Sequence, residues 1–305
     1  MNSCVHRKGD TMFFKQSNHK TVGPISLVSS KQILPNNHLS EKCFSFSGCV
    51  ISDIGYTRVQ NGDNFLFHNH INETYQSRCQ LSASEQAHRN TWHLAGVFDG
   101  ISSCPHFDVA AKTAAKSFRL KTPLIQSRCS KENIDVTLRN TFREVNNHIF
   151  NMLQSGTTAT ILCTNQTEFK IFHLGDSRAY LFREGKLHQL TRDQTLAQLK
   201  IDAGLCAPCG SGHNSDEHIL TDYVGREQGG YPTESSWIRI QEQDHILLCS
   251  DGLHQQCSNA EIIEILHNNF TAENQAIELV HLALLNGACD NITCIVLHFH
   301  GTEKG

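Results

Sequence analysis

Two apolar runs that each end in Asp-Gly constrain this chain more than any other feature: Leu94-Ala-Gly-Val-Phe-Asp99-Gly100 and Ile246-Leu-Leu-Cys-Ser-Asp251-Gly252. Runs of this length read as buried strands. An unpaired carboxylate at the end of such a strand costs several kcal/mol or shifts its pKa. A metal ion removes that cost, and hard cations such as magnesium and manganese take carboxylate, carbonyl and water oxygens. The glycine after each aspartate lets the backbone turn sharply and approach a ligand. Either copy alone reads more readily as a tight turn capped by Asp-Gly than as a metal ligand.

Companion aspartates favour the metal reading. Asp63 lies in Arg58-Val-Gln-Asn-Gly-Asp63-Asn, Asp176 in Gly175-Asp176-Ser-Arg178, and Asp290 in Gly287-Ala-Cys-Asp290-Asn291-Ile-Thr. Val50-Ile-Ser-Asp-Ile leads towards the first, Phe169-Lys-Ile-Phe-His-Leu leads into the second, and the alternating run from Ile292 follows the third. Five aspartates at five strand ends are expected to converge.

Hairpins flanked by helical segments argue for an antiparallel α+β sandwich. Residues 108 to 119 are alanine-rich behind a capping Asp108 and read as a helix. Leu138, Phe142, Val145, Ile149 and Met152 recur at helical spacing and mark one buried face. Ser258-Asn-Ala-Glu261 is a capping box opening a helix over Ile262 to Phe270. Thr271 begins another that stops at Asn286-Gly287.

In their order and wording these segments resemble the metal-dependent protein phosphatases of the protein phosphatase 2C type, bacterial serine/threonine members included. The matching segments are Arg58 to Asp63, Val97-Phe-Asp99-Gly100, Ser155-Gly-Thr-Thr-Ala159, Gly175-Asp-Ser-Arg178-Ala-Tyr with its hairpin to Asp193, Leu248-Cys-Ser-Asp251-Gly252-Leu253, and Asp290-Asn291-Ile-Thr. No single motif is specific, but the ordered set is. The resemblance implies a four-layer α-β-β-α sandwich with two central antiparallel sheets, a catalytic domain over residues 46 to 301, and an N-terminal extension over 1 to 45.

It also implies roles. Asp99, Asp251 and Asp290 resemble the ligands of a two-metal centre, with Asp99 bridging the ions and the Gly100 carbonyl on one of them. Asp63 is similar to the aspartate that holds a metal through water. Arg58 matches the arginine that pairs with substrate phosphate, for which a guanidinium fork is better suited than lysine. Asp176 and Asp251 match residues that hold a third metal in some members, and Asn291 follows the last ligand as a hydrogen-bonding partner. The implied cofactors are two manganese or magnesium ions. The implied reaction is hydrolysis of phosphoserine and phosphothreonine esters by a metal-activated water, with no phosphoenzyme. No cysteine is followed six positions later by arginine, so the Cys-x5-Arg loop of a thiolate phosphatase is absent.

The chain also departs from the pattern. Gly62 stands where the family commonly has glutamate, removing an outer carboxylate of the second metal. Ile101-Ser102-Ser103 replaces a His-Gly-Gly run, so a water must protonate the leaving oxygen. The primary ligands are intact. A catalytically silent phosphatase fold that binds phosphoproteins or other partners is the second reading.

Composition narrows the setting. With 305 residues and 39% hydrophobic content the chain can bury a large core. A net charge of -4 carries no polyanion signature, which argues against nucleic acid as the main partner. No apolar run reaches the roughly 18 residues of a membrane span, and the polar start does not read as a signal peptide. The expectation is a cytoplasmic monomer acting on phosphorylated proteins, opposed by a serine/threonine kinase.

The 13 cysteines are too sparse and odd in number for a disulfide scaffold. Cys206-Ala-Pro-Cys209 with His213 has zinc-like spacing, and a metal or redox sensor is a third, local reading. A Gly/Pro-rich surface loop is the preferred account of that segment, which lies in the family's variable flap. His68-Asn-His70 and His298-Phe-His300 each place two imidazoles on one strand face, read as solvated surfaces. Residues 1 to 45 show no period or repeat and read as a docking or packing segment.

Overall fold

The computed structural model describes residues 44–74, 76–83, 91–126, 130–206 and 215–301, without the side chains of 80–83. Cys209, His213 and most of the N-terminal segment lie outside the described residues, so the zinc reading and the role of residues 1 to 45 rest on sequence alone.

Apolar and alternating runs become strands β1 (Phe44–Asp53), β2 (Asp63–Phe67), β3 (His70–Ile71), β4 (Ser77–Ala83), β5 (His93–Asp99), β6 (Ala159–Thr164), β7 (Glu168–Leu174), β8 (Arg178–Arg183), β9 (Lys186–Gln189), β10 (Thr233–Glu234), β11 (Ile238–Arg239), β12 (His245–Cys249) and β13 (Ile292–Gly301). The helices are α1 (Phe107–Gln126), α2 (Lys131–His148), α3 (Leu196–Asp202), α4 (Asp251–His254), α5 (Asn259–His267) and α6 (Ala272–Leu285). One sheet runs β4-β1-β13-β12-β8-β9 and the other β10-β7-β6-β5-β2-β3, with β11 also on β7. Their strand pairs are antiparallel.

Both faces of each sheet are buried, which makes four layers. Along β13, Ile295, Leu297 and Phe299 enter the core between the sheets, where they join Phe65, Val97 and Leu162. The alternate residues Cys294 and Val296 face the other way, into a core with Ile262 of α5 and Leu279 of α6. On the far side Phe118 of α1 and Phe142 of α2 pack edge to face, with ring centroids 4.9 Å apart, over Phe98 of β5. The α-β-β-α order expected from the resemblance is present.

Several local expectations need correction. α1 starts one residue before Asp108, so that carboxylate lies inside the first turn, where it favours the helix dipole rather than capping it. The stripe Leu138, Phe142, Val145, Ile149 is buried, but Met152 is exposed because residues 149–153 widen into a π-turn that ends at left-handed Gln154. His68 and Asn69 have positive φ and form the turn between β2 and β3, so His68 and His70 do not share a strand face. His298 and His300 do, but His298 is buried, stacked on the His245 ring at 3.8 Å and bonded to Gln275 Oε1 at 2.7 Å. The reading of that face as solvated therefore fails at His298, whereas His300 is exposed. The capping box at Ser258 and the cap at Thr271 form as expected.

Candidate metal centre

Sheet register gathers the carboxylates at one end of the sandwich. Asp63 opens β2 and Asp99 closes β5, directly opposite each other in the ladder. Across the sandwich β12 and β13 are paired up to Cys249 and Cys294, and Ser250 N donates to Thr293 O at 3.0 Å. That pairing brings the start of α4, Asp251, beside Asp290 in the turn before β13. The glycines have packing reasons: a Cβ on Gly252 would strike the Asn291 carbonyl, and one on Gly100 the Phe107 carbonyl.

Each acidic group carries the signature of crowding. Burial first, then the charges of Asp63, Asp251, Asp290 and Asp176, push Asp99 well above the usual carboxylate range. Asp63 and Asp251 are raised by burial and by Asp290, and Asp176 by burial and by Asp251. Buried Oδ1 atoms of Asp63 and Asp251 have no hydrogen-bond donor. Buried carboxylates that raise one another and keep free lone pairs suit a divalent cation.

Among the described residues no three His, Cys, Asp or Glu side chains already hold a common point. Protein donors take part of the set: Ser250 Oγ donates to Asp63 Oδ2 at 2.7 Å, Arg58 Nη2 to Asp290 Oδ2 at 2.5 Å, and Gln255 Nε2 to Asp251 Oδ2 at 3.0 Å. Like charges repel, and these three carboxylates pair with neighbouring donors instead.

Supporting residues hold the frame. Asn291 does more than its place after Asp290 implies: its Nδ2 donates to the carbonyls of Ile54 at 2.8 Å and Gln60 at 3.1 Å, and its Oδ1 accepts from Gly62 N at 2.7 Å. It ties both ends of the Arg58 loop to the β13 entry. Thr158 Oγ1 accepts from Asp99 N at 2.9 Å and pairs with Ser177 Oγ at 2.7 Å. Thr158, Ser177 and Ser250 were missed from sequence. Each lies inside one of the matching segments, Thr158 in Ser155 to Ala159, Ser177 directly after Asp176 and Ser250 directly before Asp251, but their spacing assigned them no role. His218, also missed, lies within electrostatic reach of Asp251 and lowers its pKa when charged. Arg178 binds Asp193 through both carboxylate oxygens and locks the hairpin below Asp176.

The position of Gly62 also has an explanation. Any Cβ there would collide with the Phe107 ring at the start of α1. The aromatic ring fills the space that a side chain would need.

The model of the protein phosphatase 2C family matches residues 52–200. The serine/threonine phosphatase stp of Listeria monocytogenes is 30% identical over 216 residues, covering 68% of this chain and 85% of that protein. A crystal structure of a bacterial serine phosphatase shares the fold at TM-score 0.70, with 23% identity over 84% of this chain and 99% of its own. The catalytic domain of serine threonine protein phosphatase PstP in complex with 2 manganese ions has TM-score 0.64 and 25% identity, over 84% and 99% of the two chains. With the ordered motifs and the sandwich, these matches establish that the chain belongs to the protein phosphatase 2C family.

Proposed function

We propose that this chain is a manganese- or magnesium-dependent serine/threonine phosphoprotein phosphatase, with residues 46 to 301 as its catalytic domain. The observation that carries the reading is the buried group Asp63, Asp99, Asp251 and Asp290 with Arg58 at its edge. Asp99, Asp251, Asp290 and the Gly100 carbonyl would hold two ions, Asp63 would act through water, and Asp176 with Asp251 would hold a third. Two manganese ions in the PstP catalytic domain support that assignment. Bound cations supply positive charge on phosphate oxygens and make water acidic enough to serve as nucleophile near neutral pH.

The chain's own residues do the rest. Arg58 is partly exposed, so its guanidinium can leave Asp290 for a phosphate oxygen without unfolding the loop that carries it. Thr158 and Ser250 hold Asp99 and Asp63 in place. Ile101 provides no proton, so the leaving serine or threonine oxygen takes one from solvent. Phosphorylated proteins are the substrates, with a serine/threonine kinase implied as antagonist. We place the chain in the cytoplasm as a monomer that engages neither nucleic acid nor membrane; no described helix is long and apolar enough to cross one. Phe107 filling the space beside Gly62 favours the second reading, a silent phosphoprotein-binding fold.

Phosphate release with added manganese, wild type beside Asp251→Asn, separates the two. The enzyme reading expects release by wild type and a large loss in the variant. Equal, negligible release from both sinks it, and full activity in the variant overturns the ligand assignment.

A further inference from the structure

The segment between β1 and β2 is a short excursion whose neck is clamped and whose tip is bare. Asn291 Nδ2 holds the carbonyls of Ile54 and Gln60, the two ends. Between them Gly55 N donates to Asp53 Oδ1 at 2.8 Å, Tyr56 N to Ala288 O at 3.4 Å, Thr57 Oγ1 to the Cys289 carbonyl, and Arg58 to Asp290. Gly55 adopts φ +73°, and a Cβ there would also collide with the Asp290 carbonyl, so the position needs glycine on both counts. Compact loops closed at the neck and held by their own contacts are a recurrent functional element.

This loop tip displays two exposed apolar side chains. Tyr56 is 70% exposed and Val59 94% exposed, one on each side of Arg58 in sequence. Isolated exposed apolar residues need no explanation. Here two bracket the residue assigned to the phosphate, on a loop whose backbone is already fixed, so little ordering cost opposes a partner that covers them. A tyrosine with its body free and its backbone anchored is a common anchor of protein interfaces.

We infer that Tyr56 and Val59 form an apolar rim that selects phosphoprotein segments carrying an apolar side chain beside the phosphorylated serine or threonine. The occupant follows from continuity with the site: Tyr56 and Val59 lie two positions before and one after Arg58 on the same anchored loop, within reach of a chain whose phosphate pairs with Arg58. Burying one aliphatic or aromatic side chain against such a rim gains on the order of tenfold in affinity. The rim rests on the phosphatase reading for its substrate, and its test separates the two.

The full chain with manganese is assayed on two phosphothreonine peptides of equal charge, one with leucine and phenylalanine beside the phosphothreonine and one with serine and glutamine. Peptide binding is measured in parallel by fluorescence anisotropy. Wild type should prefer the apolar peptide about tenfold in kcat/KM and in binding. Tyr56→Ala/Val59→Ser should bring the ratio close to one, mainly through KM, and Tyr56→Phe should keep it. No preference in wild type, or an equal loss on both peptides in the double variant, overturns the rim. Failure of wild type to hydrolyse p-nitrophenyl phosphate overturns the phosphatase reading instead, and the rim is then judged on the binding ratio alone.

Discussion

Arg58 Nη2 lies 2.5 Å from Asp290 Oδ2, a pair that joins residues 232 apart in sequence and sets the phosphate-binding candidate directly on a metal-ligand candidate. A guanidinium held there is ready to exchange one anionic partner for another. Replacing it with alanine should lower kcat/KM on a phosphothreonine peptide about a hundredfold. Lysine should recover only part of that, because an ammonium cannot present a planar fork. Steady-state kinetics check this. Manganese affinity measured by calorimetry should change far less than the kinetics.

Asp251 carries the opposite sign for binding and for bare stability. Burial and the neighbouring Asp290 charge disfavour its ionised form, and its buried Oδ1 has no donor. Asp251→Asn should weaken manganese binding at least tenfold by calorimetry. In chelator-treated protein the same change should raise the melting temperature by a few degrees, because one repelled buried charge is gone. A lower melting temperature in the metal-free variant would contradict the crowding account.

Gly62 and Phe107 are coupled by space. Gly62→Ala should cost about 1–3 kcal/mol in urea unfolding, since the new Cβ meets the Phe107 ring. Adding Phe107→Ala should cost less than the two single changes summed, because the clash disappears with the ring. Strict additivity would show that the ring is not what excludes a side chain at 62.

His298 gives a pH test remote from the carboxylates. Burial first, then His245 and His300, push its pKa down to about 3, against about 6.5 in an unfolded chain. Between those values the unfolded state binds the proton and the folded state does not, so this group's contribution is intact above pH 6.5 and is lost as pH falls towards 3. Urea midpoints of wild type and His298→Gln should therefore differ most above pH 6.5, in favour of wild type. They should converge as the pH is lowered to 5. Parallel midpoints at every pH would refute the assignment.

Much of the site was readable because it sits at element ends. Asp99, Asp251 and Asp290 follow or precede apolar runs in which a carboxylate has no packing role, and Asp-Gly corners announce where backbone comes close. What misled was local geometry set by neighbours. His298 reads as exposed by alternation, yet α6 and Gln275 cover it. Met152 continues a helical stripe in sequence, yet the π-turn swings it outward. His68 and His70 are two residues apart, yet a left-handed turn separates them.

By itself the sequence determined the strand and helix periods, the caps at Ser258 and Thr271, the order of the phosphatase motifs, and which carboxylates had no reason to be buried alone. These are properties of short range, where side-chain spacing and backbone preference act within a few residues. Only the tertiary structure decided that Asp63 faces Asp99, that Asn291 clamps the Arg58 loop, that Ser250 holds the Asp63 carboxylate and Thr158 the Asp99 backbone, and that Phe107 fills the space beside Gly62. Those relationships join residues tens to hundreds of positions apart. They exist because sheet register and close packing choose among neighbours that no local spacing can name.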